Sequence, residues 1–450
     1  MIEGSLTSVA ETLGGRLAGS DARYRGVSID TRTLADGQLF FALRGPNFDG
    51  ARFLPQAVER GAAGAVVAAA EDAPLAQIIV DDPRRALGQL GRAWRESLPV
   101  TVIGVTGSNG KTTVKELLAS CLSPTAATLA TDGNLNNDLG VPLMLARLSA
   151  AHRYAVLEMG ANHAGEIAYL VSLARPSIVL LNNAGPAHLE GFGSLDGVAR
   201  AKGEILRGEP RPATAILNAD DRYFELWCGY AADIEVLSFG LGENADVRVT
   251  GLVEDGEGSR FRLRLPDAEI DVRLPLAGAH NAVNAAAAAA AAHAAGLDAA
   301  QIEAGLCSVR PVGGRLEPLA GARGVQLYDD SYNANPASVA AAARYLAARP
   351  GRAFFVLGDM GELGPEAADL HASVGSEIRA AGGERLFAGG ELSRHAAEAF
   401  GDGASWYASV DELIASLENE LGAGVNVLVK GSRSMRMERV VEACRAGGGR

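Results

Sequence analysis

The segment from Thr106 to Thr113 has the composition of a loop that binds phosphate groups. It follows an apolar run typical of a buried strand and precedes a helical pattern, and its glycines let successive backbone N–H groups turn toward phosphate oxygens. We expect Lys111 to reach the β- and γ-phosphates of a nucleotide and the hydroxyl of Thr112 to bind Mg²⁺. The strict pattern has glycine where this chain has Val105, so the loop is a variant, and the alternative is a glycine-rich turn that binds no nucleotide. The candidate loop residues are Thr106, Gly107, Ser108, Asn109, Gly110, Lys111, Thr112 and Thr113.

Two further side chains are expected at the same edge of a sheet. Glu158 ends an apolar run, and His188 follows another. The carboxyl ends of parallel strands face the ligand crevice, and a carboxylate there can hold Mg²⁺. The alternatives are a capping or ion-paired glutamate and a structural histidine.

Lysine is scarce, which makes each lysine informative. Only four of the 41 basic residues are lysines, namely Lys111, Lys115, Lys202 and Lys430. Lys202 lies in a helical pattern and is either a solvated helical lysine or a neutral amine that takes up CO₂ as a carbamate, which arginine cannot do. We expect Lys115 to be solvated. Lys430 follows a predicted strand and is either functional or a simple strand-end charge.

Buried strands and helices alternate through the middle of the chain. Apolar runs at 101–105, 154–158 and 177–182 lie between helical or loop patterns, which predicts a parallel sheet covered on both faces. Residues 234–274 alternate polar and apolar side chains, which predicts an antiparallel excursion. An alanine-rich helix is expected from about 280 to 295.

Changes of pattern predict three α/β domains with boundaries near Pro99 and near residues 311–314. They are a small N-terminal domain (1–98), a central P-loop ATPase-like domain with a mostly parallel sheet (99–312), and a C-terminal Rossmann-like domain (313–450). In the N-terminal domain we expect strands at Val27–Asp30, Gln38–Leu43 and Gly64–Val67 and a helix at Phe53–Gly61. In the C-terminal domain we expect strands at Val325–Asp329, Ala353–Leu357, Glu384–Phe387 and Asn426–Val429.

Composition excludes several classes of protein. Hydrophobic residues make up 48% of the 450 residues and charged residues 21%, which are globular values. The net charge of −13 argues against non-specific binding of nucleic acid or of anionic membranes. Four cysteines without paired spacing argue against a disulfide framework or a zinc ribbon. Without a signal-peptide pattern or a membrane-length apolar run, we expect a cytosolic protein.

Together these motifs resemble the ATP-dependent Mur ligases of peptidoglycan synthesis. The resemblance covers nearly the whole chain. Within the family, three strings are similar to the branch that adds D-alanyl-D-alanine: Asn134–Pro142, Glu158–His163 and Asp329–Pro336. One departure is Ala279 before His280-Asn281, where many members carry arginine. Asp81-Asp82-Pro83-Arg84 is similar to a diamino-acid motif of a sibling ligase but lies in the wrong domain, so we interpret it as a strand-to-helix turn.

The resemblance implies two Mg²⁺ sites and an ATP site. Lys111 and Thr112 would serve the γ-phosphate and the first Mg²⁺ together with Glu158, and His188 and an N6-carboxylated Lys202 would hold the second. Asn281 and Asn284 would contact the adenine, Asp330 the ribose and Arg315 the phosphates; the alternative is that the asparagines cap the alanine-rich helix. The implied substrate-binding residues are Ser28, Thr31, Arg32, Arg44, Asn47 and Asp49 for the uridine diphosphate, and Asn333, Lys430 and Ser432 for the incoming amine.

The implied activity is amide-bond formation through an acyl phosphate. The implied substrates are ATP, UDP-N-acetylmuramoyl-tripeptide and D-alanyl-D-alanine. The resemblance also implies a monomer that binds neither nucleic acid nor a membrane. One alternative is a sibling ligase that accepts a diamino acid or glutamate. Another is a nucleotide-gated binding protein without ligase turnover.

Overall fold

The computed structural model describes residues 1–45, 48–254 and 258–445. It contains three large sheets, one in each part of the chain where a domain is predicted. Most of their pairings are parallel. The predicted class of three α/β domains is therefore confirmed. No helix among the described residues is long and apolar enough to cross a membrane.

The N-terminal part forms a five-stranded sheet in the order β2-β9-β8-β5-β4. Asp82 caps the last helix by accepting hydrogen bonds from the N–H groups of Arg84 and Arg85, so the predicted strand-to-helix turn is confirmed. The predicted strand Gly64–Val67 is present with the predicted bounds, and the other two predicted strands and the predicted helix are present with shorter bounds. The elements are β1 Glu3–Ser5, α1 Leu6–Leu13, β2 Arg16–Ala18, β3 Arg23–Arg25, β4 Val27–Ser28, β5 Leu39–Phe41, β6 Arg44–Gly45, β7 Phe48–Asp49, α2 Leu54–Glu59, β8 Gly64–Val67, β9 Gln77–Ile79 and α3 Pro83–Glu96.

The central part forms a nine-stranded sheet in the order β11-β12-β10-β13-β14-β15-β16-β17-β18. Its elements are β10 Thr101–Thr106, α4 Lys111–Leu122, β11 Thr128–Ala130, α5 Gly140–Ala146, β12 Tyr154–Glu158, α6 Glu166–Ala174, β13 Ile178–Leu181, α7 Leu189–Phe192, α8 Leu195–Lys202, β14 Thr214–Asn218, α9 Phe224–Tyr230, β15 Glu235–Gly240, β16 Val247–Glu254, β17 Ser259–Arg264, β18 Glu269–Leu274, α10 Ala279–Ala294 and α11 Ala299–Ser308. The prediction of an antiparallel excursion over 234–274 is wrong for its first strand. β15 pairs parallel to β14, and antiparallel pairing begins between β16 and β17.

Helix α10 explains why alanine is concentrated there. Residues 285–292 are all alanine and all fully buried, between α4 and the sheet. Alanine is the best helix former, and its small side chain lets the helix approach the sheet closely. This packing holds the start of α10 beside the start of α4.

The C-terminal part forms a six-stranded sheet in the order β19-β20-β24-β21-β22-β23, parallel except for β19. The four predicted strands are confirmed with small changes of bounds. The elements are β19 Glu317–Ala320, β20 Gln326–Asp330, α12 Pro336–Ala347, β21 Arg352–Gly358, α13 Ala367–Ala381, β22 Arg385–Gly389, α14 Ser393–Phe400, β23 Ala404–Tyr407, α15 Val410–Glu420, β24 Val425–Lys430 and α16 Glu438–Cys444. The carboxyl ends of β20 and β24 point toward the phosphate-binding segment, because Asp330 and Lys430 line a cavity with Gly110.

Candidate active site

The candidate phosphate loop connects β10 to α4, as predicted. Gly110 has a φ of 78°, and a β-carbon there would lie 2.4 Å from Oδ1 of Asn284, so the position requires glycine. The loop is anchored to the segment after β13: the Asn109 N–H donates to Asn183 Oδ1 at 2.8 Å and the Ser108 hydroxyl to the Gly185 carbonyl at 3.0 Å. The segment after β13 therefore fixes the shape of the phosphate loop.

Lys111, Thr112 and Glu158 lie together at the end of this loop. Nζ of Lys111 donates to the Gly107 carbonyl at 2.8 Å, and burial lowers the pKa of Lys111. The Thr112 hydroxyl donates to Glu158 Oε2 at 2.9 Å and accepts from Nη2 of Arg315 at 3.0 Å. A buried carboxylate beside a hydroxyl is a donor set that suits Mg²⁺.

Asn136 is a residue that sequence reasoning did not assign to the site. Its Nδ2 donates to Glu158 Oε1 at 2.8 Å, so both oxygens of that carboxylate are held. Asn136 lies inside the Asn134–Pro142 string that carries part of the resemblance, and that string was the available signal. The capping or ion-paired alternative for Glu158 is not what the structure has, because its side-chain partners are a hydroxyl and an amide.

Lys202 is the last residue of α8 and is only 1% exposed, so the solvated alternative is wrong. Burial and the nearby charge of Lys111 lower the pKa of Lys202 to about 7. Nζ lies 5.7 Å from the centre of the Phe192 ring, and among the described residues it has no hydrogen bond or ion pair. The structure thus places an unpaired amine with a lowered pKa in the protein interior.

His188 precedes α7 and has a left-handed backbone, with φ 55°. Its buried Nδ1 lies within ion-pair distance of the carboxylate of Glu362, in the loop after β21, but forms no hydrogen bond within the described part of the chain. Burial lowers the pKa of His188, because it disfavours the charged ring. The histidine therefore lies between the central and C-terminal parts of the chain.

A cavity of about 410 Å³ opens beside the phosphate loop. The predicted residues that line it are Asn109, Gly110, Thr113, Asn281, Asn284, Arg315, Asp330 and Lys430. It also contains His280, Asn183, Asn218 and Leu241, which sequence reasoning did not assign. The cavity brings together the predicted ATP residues from both sides of the predicted second boundary.

The two asparagines of α10 do not cap it. Gly278 is the N-cap, without a side-chain cap. Nδ2 of Asn281 donates to the Ala277 carbonyl at 2.7 Å, and Oδ1 of Asn284 accepts from Nδ2 of Asn182 at 2.9 Å. The capping alternative is therefore wrong, and both amides lie at the cavity wall.

Lys430 is buried and forms an ion pair of 2.7 Å with Asp330, and it also donates to the Asn333 carbonyl at 2.9 Å. Ser432 follows in the same segment, with its hydroxyl 3.1 Å from that of Ser434. The predicted amine-side residues are thus adjacent to one another, at the carboxyl end of the C-terminal sheet.

The predicted uridine-diphosphate residues are less concentrated. A second cavity of about 310 Å³ contains Ser28 and also Asp30, Gln38 and Arg147. Arg32 and Arg44 instead form ion pairs with Asp30 and Asp49 at the surface. Thr31 lies half-buried in the turn between Asp30 and Arg32. Asn47 lies outside the described residues.

The expectation that Lys115 is solvated is wrong. Lys115 is 3% exposed, and its Nζ donates to the Thr131 carbonyl at 2.7 Å and pairs with Glu116 at 2.6 Å. It is buried because α4 is packed between α10 on one side and β11 and β12 on the other.

Three family models match successive parts of the chain. They describe the Mur ligase family catalytic domain at residues 23–95, the Mur ligase middle domain at 105–292, and the Mur ligase glutamate ligase domain at 314–433. Together they span most of the sequence, in the order of the three sheets.

Individual relatives match over nearly their full lengths. The UDP-N-acetylmuramoyl-tripeptide–D-alanyl-D-alanine ligase of Escherichia coli (strain K12) is 44% identical over 100% of both chains. A crystal structure of MurF from Acinetobacter baumannii superposes with a TM-score of 0.92 at 36% identity, covering 98% of each chain. MurF from Thermotoga maritima, in complex with ADP, superposes with a TM-score of 0.81 at 25% identity, covering 93% of this chain and 96% of that one.

Proposed function

Since this chain belongs to the Mur ligase family, we propose that it joins D-alanyl-D-alanine to UDP-N-acetylmuramoyl-tripeptide in an ATP-dependent step of peptidoglycan precursor synthesis. The observation that carries the choice of substrates is the full-length similarity to the Escherichia coli ligase. The geometry supports the ATP-dependent chemistry, because phosphate-loop and C-terminal residues line one cavity.

The reaction proceeds in two steps. An oxygen of the tripeptide's terminal carboxylate attacks the γ-phosphorus of ATP. The bond from this phosphorus to the β-phosphate oxygen breaks, ADP departs, and the tripeptide now carries an acyl phosphate. The amine of D-alanyl-D-alanine then attacks the acyl carbon and gives up a proton, and the tetrahedral intermediate expels inorganic phosphate to leave the amide. Lys111 contributes by neutralising charge as the anionic carboxylate and phosphate approach.

Thr112 and Glu158 are the residues that would hold a first Mg²⁺. Their hydroxyl and carboxylate oxygens are already 2.9 Å apart, and the carboxylate is fixed on its other side by Asn136. The chemistry that Mg²⁺ would supply there is charge neutralisation for the transferring phosphoryl group. Arg315 reaches Thr112 from the C-terminal part of the chain and is positioned to contact phosphate oxygens.

We further propose that Lys202 is carboxylated on Nζ. The neutral amine adds to CO₂, forms an N–C bond and loses a proton, which yields a carbamate with two oxygen ligands. Three properties support this proposal: the amine is buried, it has no partner among the described residues, and about half of it is neutral near pH 7. His188 and this carbamate would hold a second Mg²⁺.

The remaining substrate contacts follow from the cavities. Asn281 and Asn284 would contact the adenine, and Asp330 would bind the ribose, because all three line the 410 Å³ cavity. We assign UDP binding to the domain at 1–98, ATP to 99–312 and the dipeptide mainly to 313–450. One chain contains all of these residues, so the proposed site needs no second copy, and we propose that the enzyme acts as a monomer.

Phosphate release tests this function. The purified chain is supplied with ATP, Mg²⁺ and UDP-N-acetylmuramoyl-tripeptide, with D-alanyl-D-alanine, a diamino acid, glutamate or no amine. We expect release to require both the tripeptide and D-alanyl-D-alanine, and the product mass to be that of the pentapeptide. Release only with another amine would assign the chain to a sibling activity, and no release with any amine would contradict the ligase function.

A further inference from the structure

The loop after β21 reaches across to the central part of the chain at His188. Its residue Glu362 places a carboxylate against Nδ1 of the imidazole, and the Glu362 carbonyl accepts a hydrogen bond from the Glu190 N–H at 3.4 Å. Two separate contacts therefore join the loop after β21 to His188 and to the first turn of α7, which follows it. Neither loop is near the other in sequence, so only the tertiary fold produces this pair.

Both members of the pair have unfavourable backbones. His188 has φ 55° and Glu362 has φ 60°, in the left-handed region that residues with a β-carbon seldom adopt. Backbone strain of this kind persists where the surroundings determine the conformation, and it concentrates at functional sites. Both residues of the contact have this left-handed backbone, which is a second observation in favour of a functional role for the pair.

The base of the Glu362 loop is anchored from within its own domain. His371 is fully buried; its Nε2 accepts from the Met360 N–H at 2.9 Å, and its Nδ1 lies 2.7 Å from the Ala367 carbonyl. The Asp359 carboxylate accepts from the Ser393 N–H at 2.7 Å. The loop is thus fixed at its base while Glu362 extends outward.

We infer that Glu362 is a positioning residue for the proposed ligase reaction, fixing the imidazole of His188 by way of Nδ1. A carboxylate packed against one ring nitrogen restricts the orientation of the imidazole and leaves the other nitrogen available as a ligand. Because Glu362 lies in a loop of the C-terminal part and His188 in a loop of the central part, this orientation is complete only when the two parts are together. The inference rests on the assignment of His188 under the proposed function.

The test combines metal binding with kinetics. Glu362→Gln removes the charge and keeps the shape, and Glu366→Gln is the matched control, an exposed carboxylate at the start of α13 whose side chain forms no cap hydrogen bond. Binding of Mn²⁺ to the full chain with ADP, measured by electron paramagnetic resonance, needs no turnover. We expect Glu362→Gln to weaken Mn²⁺ binding about tenfold and to lower kcat about ten- to a hundredfold, with the KM for ATP within about twofold. Glu366→Gln should match the wild type.

A double-mutant cycle makes the result specific. In a His188→Gln background, Glu362→Gln should no longer change Mn²⁺ affinity, because its effect acts through the ring. Equal effects of Glu362→Gln in both backgrounds, or a Glu362→Gln enzyme indistinguishable from Glu366→Gln, would overturn the inference. Failure of the proposed function is distinguishable, because the wild type would then release no phosphate whatever its Mn²⁺ affinity.

Discussion

The two halves of the candidate site, one around Lys111 and Glu158 and the other around Lys202 and His188, differ in whether their lysine amines are paired. In the phosphate half, Lys111 donates to Gly107, and Glu158 is held by both Thr112 and Asn136. In the other half, the Nζ of Lys202 has no hydrogen bond or ion pair within the described part of the chain, although it is buried. The fold alone pairs the lysine amine of the phosphate half, whereas it leaves the amine of Lys202 in the other half unpaired.

This difference indicates what each half requires. A buried amine without a partner is costly unless it is neutral or acquires one. The phosphate half therefore needs only nucleotide and metal, whereas the Lys202 half needs a chemical change as well. His188 adds a second requirement, because its ring contacts Glu362 from the C-terminal part of the chain.

The largest expected effect is in the phosphate half. Lys111→Ala removes the charge that neutralises the approaching anions, so kcat should fall on the order of a thousandfold or more. Phosphate release measures this loss, and the circular dichroism spectrum should match that of the wild type. Near-normal turnover would remove Lys111 from the ATP site.

Lys202→Ala should lower kcat on the order of a hundredfold, because it removes a proposed metal ligand. Short carboxylic acids such as acetate should restore part of the activity by supplying the missing oxygens. The matched control is Lys111→Ala, which the same acids should not rescue. If Lys202→Ala keeps wild-type activity with and without acid, Lys202 is not a metal ligand, and the proposed difference between the two halves is wrong.

The pKa of Lys202 predicts a pH effect on stability. It is lowered from 10.5 to about 7 in the folded state, so between these values the unfolded chain binds more protons than the folded one. In CO₂-free buffer without metal, this residue's contribution to the free energy of unfolding should therefore rise, by a few kcal/mol, as pH increases from about 7 to 10.5. Urea unfolding measures it, and Lys202→Met should remove this part of the slope. If Lys202→Met and the wild type showed the same dependence of the free energy of unfolding on pH, the amine of Lys202 would be solvated in the folded state.

A smaller effect is expected at the support of Glu158. Asn136→Ala frees Oε1 of the carboxylate while leaving Oε2 with Thr112, so the Mg²⁺ concentration for half-maximal activity should rise about tenfold. Asn134→Ala is the control, since Asn134 is exposed in the same segment. Equal behaviour of the two variants would show that Thr112 alone suffices to hold Glu158.

Sequence patterns predicted the elements better than the contacts between them. Apolar runs and helical periodicity report on the element that contains them, so the three sheets, the phosphate loop and the position of Glu158 at a strand end were predictable. The burial of Lys115 was not, because it depends on which faces of α4 are covered by distant segments. The ion pairs of Arg32 and Arg44 depend likewise on side-chain geometry.

The contact between His188 and Glu362 is the clearest example of a feature that sequence patterns could not predict. Each residue lies in a loop without periodicity, and no local pattern marks a contact between loops from two sheets. Asn136 is intermediate, because it was inside a recognised string but nothing in its neighbours indicated that it would reach Glu158.

The most direct test of the difference between the halves is detection of the carbamate itself. The full chain is incubated with carbon-13-labelled bicarbonate, ADP and Mg²⁺ and observed by carbon-13 NMR. We predict one carbamate resonance, present in the wild type and in Lys111→Ala and absent from Lys202→Ala. A preparation that turns over fully with no such resonance would contradict the account.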